Sequence, residues 1–384
     1  MDNKELLEII ACGEDSFCQF KKNITNVDSL SAEMVAFSNG SGGMLFIGVD
    51  DDGTVVGLTT DDIRRLNLLI SNAASQSVQP AINPTTENIQ TDDGLVLVIT
   101  IQPGINKPYQ DKNGTIWVKS GSDKRRATSR EEIQRMFQKA NLIHADELPV
   151  PGLTISDLDI DYFNSFFRKR FGETSDSQAL SLPELLKNMN LYNDGSLNVA
   201  CALLFAKSPQ FKLPAFIVKA GAFDSNEAST SNYNDSRNIE GKLANVYQDT
   251  VYFILSNLRH IQGDQGVNSI GIPEIPAESI EELVANSLIH RDYFISAPIR
   301  VFVFRNRVEI ISPGHLPNSL TVENIKAGIS NSRNPLLASY ANHLLPYRGF
   351  GQGIIRALAN YPDIELIDDR DGNQFKAVLK RKEM

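Results

Sequence analysis

Apolar positions along this chain fall into two rhythms, and the switches between them predict its elements. Leu30, Met34, Val35 and Phe37 recur at helical spacing over 29–38, and a shorter helix is expected over 3–13. Gly40-Ser41-Gly42-Gly43 breaks that pattern, and the unbroken run Met44-Leu45-Phe46-Ile47-Gly48-Val49 suits a buried strand. Asp51-Asp52-Gly53 then reads as a hairpin turn into Thr54-Val55-Val56-Gly57. A helix over 61–77, strands over 95–101 and 115–119 and a closing helix over 129–139 complete a compact α+β domain, assigned to residues 1–147. Leu148-Pro149-Val150-Pro151-Gly152 has linker composition, because two prolines discourage helix on either side, and 148–154 is read as the linker.

The remainder, 155–384, opens with helices over 157–171 and 182–189, a strand region over 213–222, a polar stretch over 224–238 and a long helix over 240–260. After a Gly-rich, polar segment (262–273) come a helix over 277–290, strands Ile299–Phe304 and Arg307–Ile311, and the turn Ser312-Pro313-Gly314. A helix near 335–344, a Gly-rich segment at 349–353, a helix over 354–360 and a strand over 374–380 follow. The whole is an α+β chain without internal repeats or low-complexity tracts.

Polar groups inside one apolar helix raise the first chemical question. At a rise of four residues, Glu282, Asn286 and His290 share a face of the 277–290 helix while Leu283, Val284 and Leu288 turn inward. A carboxylate, a carboxamide and an imidazole stacked in this way suit a metal-nucleotide site; the same face also reads as a solvated helix surface. The Gly349, Gly351, Gly353 spacing permits close backbone approach to a ligand, with a helix N-terminus behind it, or a plain flexible turn. It is not a dinucleotide fingerprint, since Leu345-Pro346-Tyr347 does not read as a preceding strand.

Composition narrows the classes. The chain has 384 residues, 41% hydrophobic and 22% charged, which is ordinary for a globular protein of two or three domains. No long apolar run and no basic leader followed by an apolar one is present, so a cytoplasmic protein without membrane attachment is expected. Cys12, Cys18 and Cys201 lack zinc-ligand spacing and read as thiols. The net charge of −10 excludes a generally basic surface, so any contact with nucleic acid must be local. Lys119 to Lys139 is the one basic stretch, with Lys119, Lys124, Arg125, Arg126, Arg130, Arg135 and Lys139; a solvated loop and helix face is its other reading. No G-x-x-x-x-G-K-[ST] segment exists, which removes the phosphate loop a helicase motor requires.

Taken in order, the Glu282-Asn286-His290 helix, the strand ending at Ser312-Pro313-Gly314-His315-Leu316-Pro317, and Arg348-Gly349-Phe350-Gly351-Gln352-Gly353 resemble the gyrase, histidine-kinase and MutL type of ATPase (GHKL). The strings His290-Arg291-Asp292-Tyr293 and Arg333-Asn334-Pro335-Leu336-Leu337 bring the resemblance closer to the RecG-like C-terminal ATP-binding domain, over roughly 155–384. It implies an α/β sandwich that binds ATP and Mg²⁺. Asn286 would ligate the metal, Glu282 would serve as general base for a weak ATPase, and Gly349, Gly351 and Gly353 would take phosphate. His290 and Arg291 would either contact phosphate or form a structural pair. Such ATPases place an aspartate where this chain has Ser312-Pro313-Gly314, leaving Ser312, a backbone group such as that of Gly314, or water to meet the base.

The first half, through Glu14, Phe20-Lys21, Ala36-Phe37-Ser38-Asn39, Gly42-Gly43, Ile47-Gly48-Val49-Asp50-Asp51 and Val56-Gly57-Leu58, resembles the Schlafen AlbA-like domain over about 5–140. That resemblance implies a nucleic-acid-binding module, here through Lys21, Lys22, Lys119, Lys124, Arg125, Arg126 and Arg130. Some relatives cleave RNA with three carboxylates that hold divalent metal; those positions fall on Glu14, Gln19 and Asp51, and the neutral Gln19 opposes cleavage. The combined expectation is a nucleotide-dependent, nucleic-acid-binding regulator, a transcriptional one in the first instance, that assembles as a homo-oligomer. A nucleotide-gated endoribonuclease and a non-catalytic scaffold are the alternatives.

Overall fold

The computed structural model describes residues 1–140, 142–177, 179–228, 233–262, 271–317, 320–347, 349 and 351–381, the side chains of Glu131 and Lys139 excepted. Arg348 and Phe350 of the Gly-rich segment, and the Lys139 side chain of the basic stretch, therefore lie outside the described residues. The chain forms two units, Met1–Ile143 and His144–Met384.

In the first unit, helices α1 (Asn3–Cys12), α2 (Val27–Asn39) and α3 (Thr60–Asn72) surround strands β1 (Cys18–Lys21), β2 (Gly43–Ile47), β3 (Thr85–Thr91) and β4 (Gly94–Ile101). The sheet runs β1-β2-β4-β3, parallel only between β1 and β2. Its central strands β2 and β4 read as nearly unbroken apolar runs because both of their faces are covered, with successive side chains going to opposite sides. Leu45, Ile47, Leu97 and Ile99 pack under α2 and α3 with Leu30, Met34, Phe37 and Leu66. Phe46, Val96 and Val98 face the other way, onto Phe20 and onto Leu6 and Ile10 of α1. Asp2 and Glu5 start α1 with a reciprocal capping box. A hairpin of β5 (Trp117–Ser120) and β6 (Asp123–Arg126) and helix α4 (Arg130–Lys139) complete the unit.

The expected hairpin at 51–57 is only a turn with one bridge, Val49 to Val55. Gly57 lies at φ +74, and a Cβ there would overlap the Asp93 carbonyl, so the chain leaves strand geometry where the sequence still looks extended. The helix expected to reach residue 77 stops at Asn72 and passes into a π-type turn, Ala73–Ser77. Strand β3 was not expected, since only Ile89 and Thr91 of its residues are buried.

The second unit is a two-layer α/β structure. Its main sheet has six strands, β7 (Val218–Ala222), β8 (Asp235–Ile239), β9 (Ile299–Val303), β10 (Arg307–Pro313), β11 (Ile364–Asp369) and β12 (Gln374–Lys380), in the order β8-β7-β9-β10-β12-β11. Only β7 and β9 are parallel neighbours. Val218, Ala220, Val301, Ile310, Ala377 and Leu379 share a core with helices α5 (Ile160–Phe171), α6 (Leu182–Asn188), α7 (Val199–Phe205), α8 (Leu243–Ser256) and α9 (Ala277–His290). Short helices α10 (Val322–Lys326), α11 (Pro335–Ala341) and α12 (Gly353–Asn360) follow. Residues 148–154, expected as a linker, are part of this unit. Val150 and Leu153 are buried in its core, and their backbones exchange hydrogen bonds with Leu197. The prolines do break helix, but two apolar side chains between them anchor the segment.

Asp146 is fully buried at the start of α11, where one oxygen accepts the Leu337 N–H at 2.7 Å and the other has no partner. Burial holds its carboxyl at about 6, above the ordinary 3.8, with the Leu337 N–H opposing. The proton then binds the native state more tightly than the unfolded one. The stability it contributes is complete below pH 3.8 and lost as pH rises through about 6. His290 acts oppositely: burial lowers it from 6.5 to about 4, so its contribution is present above 6.5 and lost as pH falls toward 4. Over the shared window the two offset each other. Asp146→Asn isolates one of them and is expected to gain about 1–2 kcal/mol at pH 8, shrinking toward zero by pH 5, in thermal melts across that range. A gain independent of pH would refute the assignment.

Candidate functional site

Two short strings of the second unit interlock. In His290-Arg291-Asp292-Tyr293, Asp292 pairs with Arg333 at 3.6 Å, and the Tyr293 hydroxyl donates to Leu288 O at 2.8 Å. In Arg333-Asn334-Pro335, Asn334 is buried and its Nδ2 donates to Ile289 O and Arg291 O, closing the C-terminus of α9, while Pro335 opens α11. Gly314, at φ +96, completes the knot, because a Cβ there would meet Asp292 Cβ at 2.5 Å. This knot fixes the end of α9 against the turn that follows β10.

Beside it lies a cavity of about 160 Å³. Its apolar lining includes Leu283, Ile310, Leu316, Ile325, Phe375 and Ala377, and the buried Ser312 also lines it. Its polar lining includes Glu282, Asn286 and Arg356, which lie together with Gly353, and the glycines Gly349 and Gly351. Asn286 Nδ2 donates to Glu282 O at 2.7 Å, so the amide nitrogen is spent on the helix and the oxygen is the atom that remains for a hard cation. The Glu282 carboxylate is ion-paired with Arg356 and lies so close to the start of α12 that a Cβ on Gly353 would overlap Glu282 Oε2. Gly351 is likewise required, at φ +70 against the Gly328 carbonyl.

Of the residues singled out from sequence, Glu282, Asn286, His290, Ser312, Gly314, Gly349, Gly351 and Gly353 all line this cavity. Two of them are engaged within the protein, His290 with a partner other than the Arg291 that sequence offered. His290 is neutral near pH 7, since burial and Arg333 depress it, and its Nε2 meets the Tyr347 hydroxyl at 3.0 Å. Ser312 Oγ donates to Ser287 O at 3.1 Å. Arg291 is a correction: it does not line the cavity but is buried between Phe216 and Tyr293, with its guanidinium donating to Ile295 O and Ala297 O. Arg333, Tyr347 and Arg356 were missed. Arg356 did leave a signal, for a cation in the first turn of a helix opposes the macrodipole unless an anion is at hand.

The first unit gathers its own charged cluster. Glu14 Oε1 accepts from Gln19 Nε2 and from the Phe20 N–H, both at 2.7 Å. Gln19 Oε1 accepts from Lys119 Nζ at 2.7 Å, and that ammonium also donates to Ser122 O and lies 4.8 Å from the Phe37 ring centre. Burial lowers the Lys119 pKa. Asp51 is 79% exposed and reaches Glu14 only through Lys21, which stands 3.6 Å from Asp51 and 4.0 Å from Glu14. These donors do not fit a divalent metal: the middle position is neutral, and two lysines already supply the positive charge. Among the described residues no three His, Cys, Asp or Glu side chains converge.

Most basic candidates of this unit are already paired. Lys22 meets Asp50, Lys124 meets the buried Glu33 at 2.6 Å, and Arg125 meets Glu132 at 2.7 Å. Arg126 stacks over Trp117 at 5.1 Å, and Arg130 opens α4.

Comparison with known proteins agrees with this division. Residues 14–128 match the Schlafen AlbA_2 family model, and 296–379 match the model described as "Putative ATP-dependent DNA helicase recG C-terminal". No curated protein matches the chain. A crystal structure of a Corynebacterium diphtheriae protein covers 99% of this chain and 81% of its own at 20% identity and a TM-score of 0.46. The solution structure of the N-terminal domain of a RecG-related protein from Nitrosomonas europaea covers 34% of this chain and 96% of its own, at 23% identity and a TM-score of 0.25. An AlbA/Schlafen-type module and a RecG-related ATPase-type module thus stand in one chain, the mark of a nucleic-acid-associated, ATP-binding protein. Among the described residues no helix is long and apolar enough to cross a membrane.

Proposed function

We propose that the cavity of the second unit binds Mg·ATP and that nucleotide occupancy regulates nucleic-acid binding by the first unit. The observation that carries this reading is the cavity's polarity. Apolar side chains that suit a base line the same cavity as a polar cluster in which Asn286, Glu282, Arg356 and the Gly353 start of α12 lie together. The glycines there leave room for phosphate oxygens to approach backbone N–H groups. Asn286 Oδ1 would hold Mg²⁺, which would neutralise phosphate charge, and Glu282 is placed to accept a proton from an attacking water. Ser312 meets the base in place of a carboxylate.

Nucleic acid is assigned to the β5-β6 hairpin, where Trp117 carries Arg126 and Lys124 at its ring. Because several of the basic groups must leave acidic partners, binding there is expected to be weak and strongly salt-dependent. Regulation through assembly of a homo-oligomer and action on transcription are the finer parts of the proposal.

Calorimetric titration of the whole chain with Mg·ATP tests the reading. Saturable binding is expected, with Asn286→Ala at least ~30-fold weaker, about 2 kcal/mol. Absence of binding by the wild type, or wild-type affinity in Asn286→Ala, would remove the nucleotide from this cavity.

A further inference from the structure

We infer that Arg356 is the residue that receives the terminal phosphate of the bound nucleotide, and that Glu282 occupies it until nucleotide arrives. This rests on the reading of the cavity as a nucleotide site. Arg356 lies in the first turn of α12, where the helix dipole disfavours a cation. It is tolerated because the Glu282 carboxylate pairs with it and sits against the same helix start. The carboxylate of Glu282 thus takes both features that would attract a phosphate: the guanidinium and the positive end of the helix.

The other charged groups of the described lining are committed. Arg333 is 13% exposed, paired with Asp292 and bonded to His315 O, so moving it would undo the knot that fixes α9. His290 is neutral and engaged with Tyr347. Arg356 is 43% exposed, lines the cavity, and can rotate its guanidinium without disturbing the core. A terminal phosphate carries more charge than a carboxylate and offers more acceptor oxygens to the fork of an arginine, so it displaces Glu282. The exchange leaves Glu282 without its cation only when a triphosphate is present, so the proton acceptor becomes free when there is a substrate for it.

Titrations of the full chain with Mg·ATP and with Mg·ADP test this. Arg356→Gln is expected to weaken ATP at least tenfold while leaving ADP within about threefold, and Arg356→Lys to recover part of the loss. Glu282→Gln removes the competitor and is expected to tighten ATP about threefold or more. ATP affinity within twofold of wild type in Arg356→Gln, or weaker binding in Glu282→Gln, overturns the inference and leaves the nucleotide reading standing. Failure of the wild type to bind either nucleotide overturns both. Thermal melts check folding, and if Arg356→Gln does not fold, the Arg356→Lys and Glu282→Gln titrations decide.

Discussion

Arg291→Ala is expected to destabilise the second unit by about 4 kcal/mol, and to lower its melting temperature by on the order of 10 °C. Arg291 is among the largest fully buried side chains of the protein, and among the described residues no carboxylate forms an ion pair with it, Asp292 acting on it only through its charge. Its guanidinium lies 4.7 Å from the Phe216 ring centre and 4.8 Å from that of Tyr293, and it supplies the hydrogen bonds to Ile295 O and Ala297 O. Alanine would leave the Ala297 carbonyl without its donor, at about 1–3 kcal/mol, while Ile295 O keeps the Ala297 N–H, and would leave a void between two rings. Against this stands relief from burying a charge, which lowers the Arg291 pKa. The lost donor and the void outweigh that relief, because nothing else fills the space between Phe216 and Tyr293 once the arginine is gone. Arg291→Met fills the void without supplying donors and is expected to cost about half as much; Arg291→Lys keeps the charge but loses the planar guanidinium that lies against both rings. Calorimetric melts of the three variants at pH 7 give the order, and an alanine variant melting within about 2 °C of wild type would contradict it.

That placement shows where reading by spacing runs out. A period of four put Glu282, Asn286 and His290 on one helix face, and all three line one cavity, because a helix of known start fixes directions along its whole length. Arg291 follows the last helical residue, where the backbone turns to extended geometry and the period no longer constrains direction. Its string with Asp292 and Tyr293 looked chemical and proved architectural. The strings His290-Arg291-Asp292-Tyr293 and Arg333-Asn334-Pro335 pair with each other across more than forty residues, and neither alone reveals its partner.

The fold was legible to different depths for the same reason. Helix 277–290 and strand 374–380 were read with the limits they have, since their apolar residues point to one large core. Strands Asp235–Ile239 and Ile364–Asp369 were missed because they are the sheet's edges, where only one or two residues need be apolar. Helix Val199–Phe205 escaped for the opposite cause: all seven residues are buried, so no polar face exists to show a period. In the candidate site, Arg356 was not singled out, although its position in the first turn of a short helix asked for an anion.

Gln19→Glu should cost the first unit on the order of 3 kcal/mol at pH 8, and most of that should return by pH 5. Gln19 is 3% exposed and its Nε2 donates to Glu14 at 2.7 Å; a carboxylate in its place loses that donor and sets two negative charges at hydrogen-bond distance. Both cannot ionise cheaply, so one of the pair must keep its proton, with a folded-state pKa above the unfolded one. The sign follows: a raised carboxyl contributes stability at low pH that disappears as pH rises through the folded value. Lys119 opposes the effect, since its ammonium bonds to the same side chain and would pair with the new charge. One partly desolvated lysine, already bonded to Ser122 O, offsets only part of the repulsion. Melts of the variant and wild type at pH 5 and pH 8, with and without millimolar magnesium, separate the cases. An unchanged melting temperature at pH 8 would mean that Lys21 and Lys119 suffice for two carboxylates. A rise specific to the variant with magnesium would mean that one substitution is enough to give this cluster a divalent cation, so that the neutral Gln19, and not the lysines, keeps metal out.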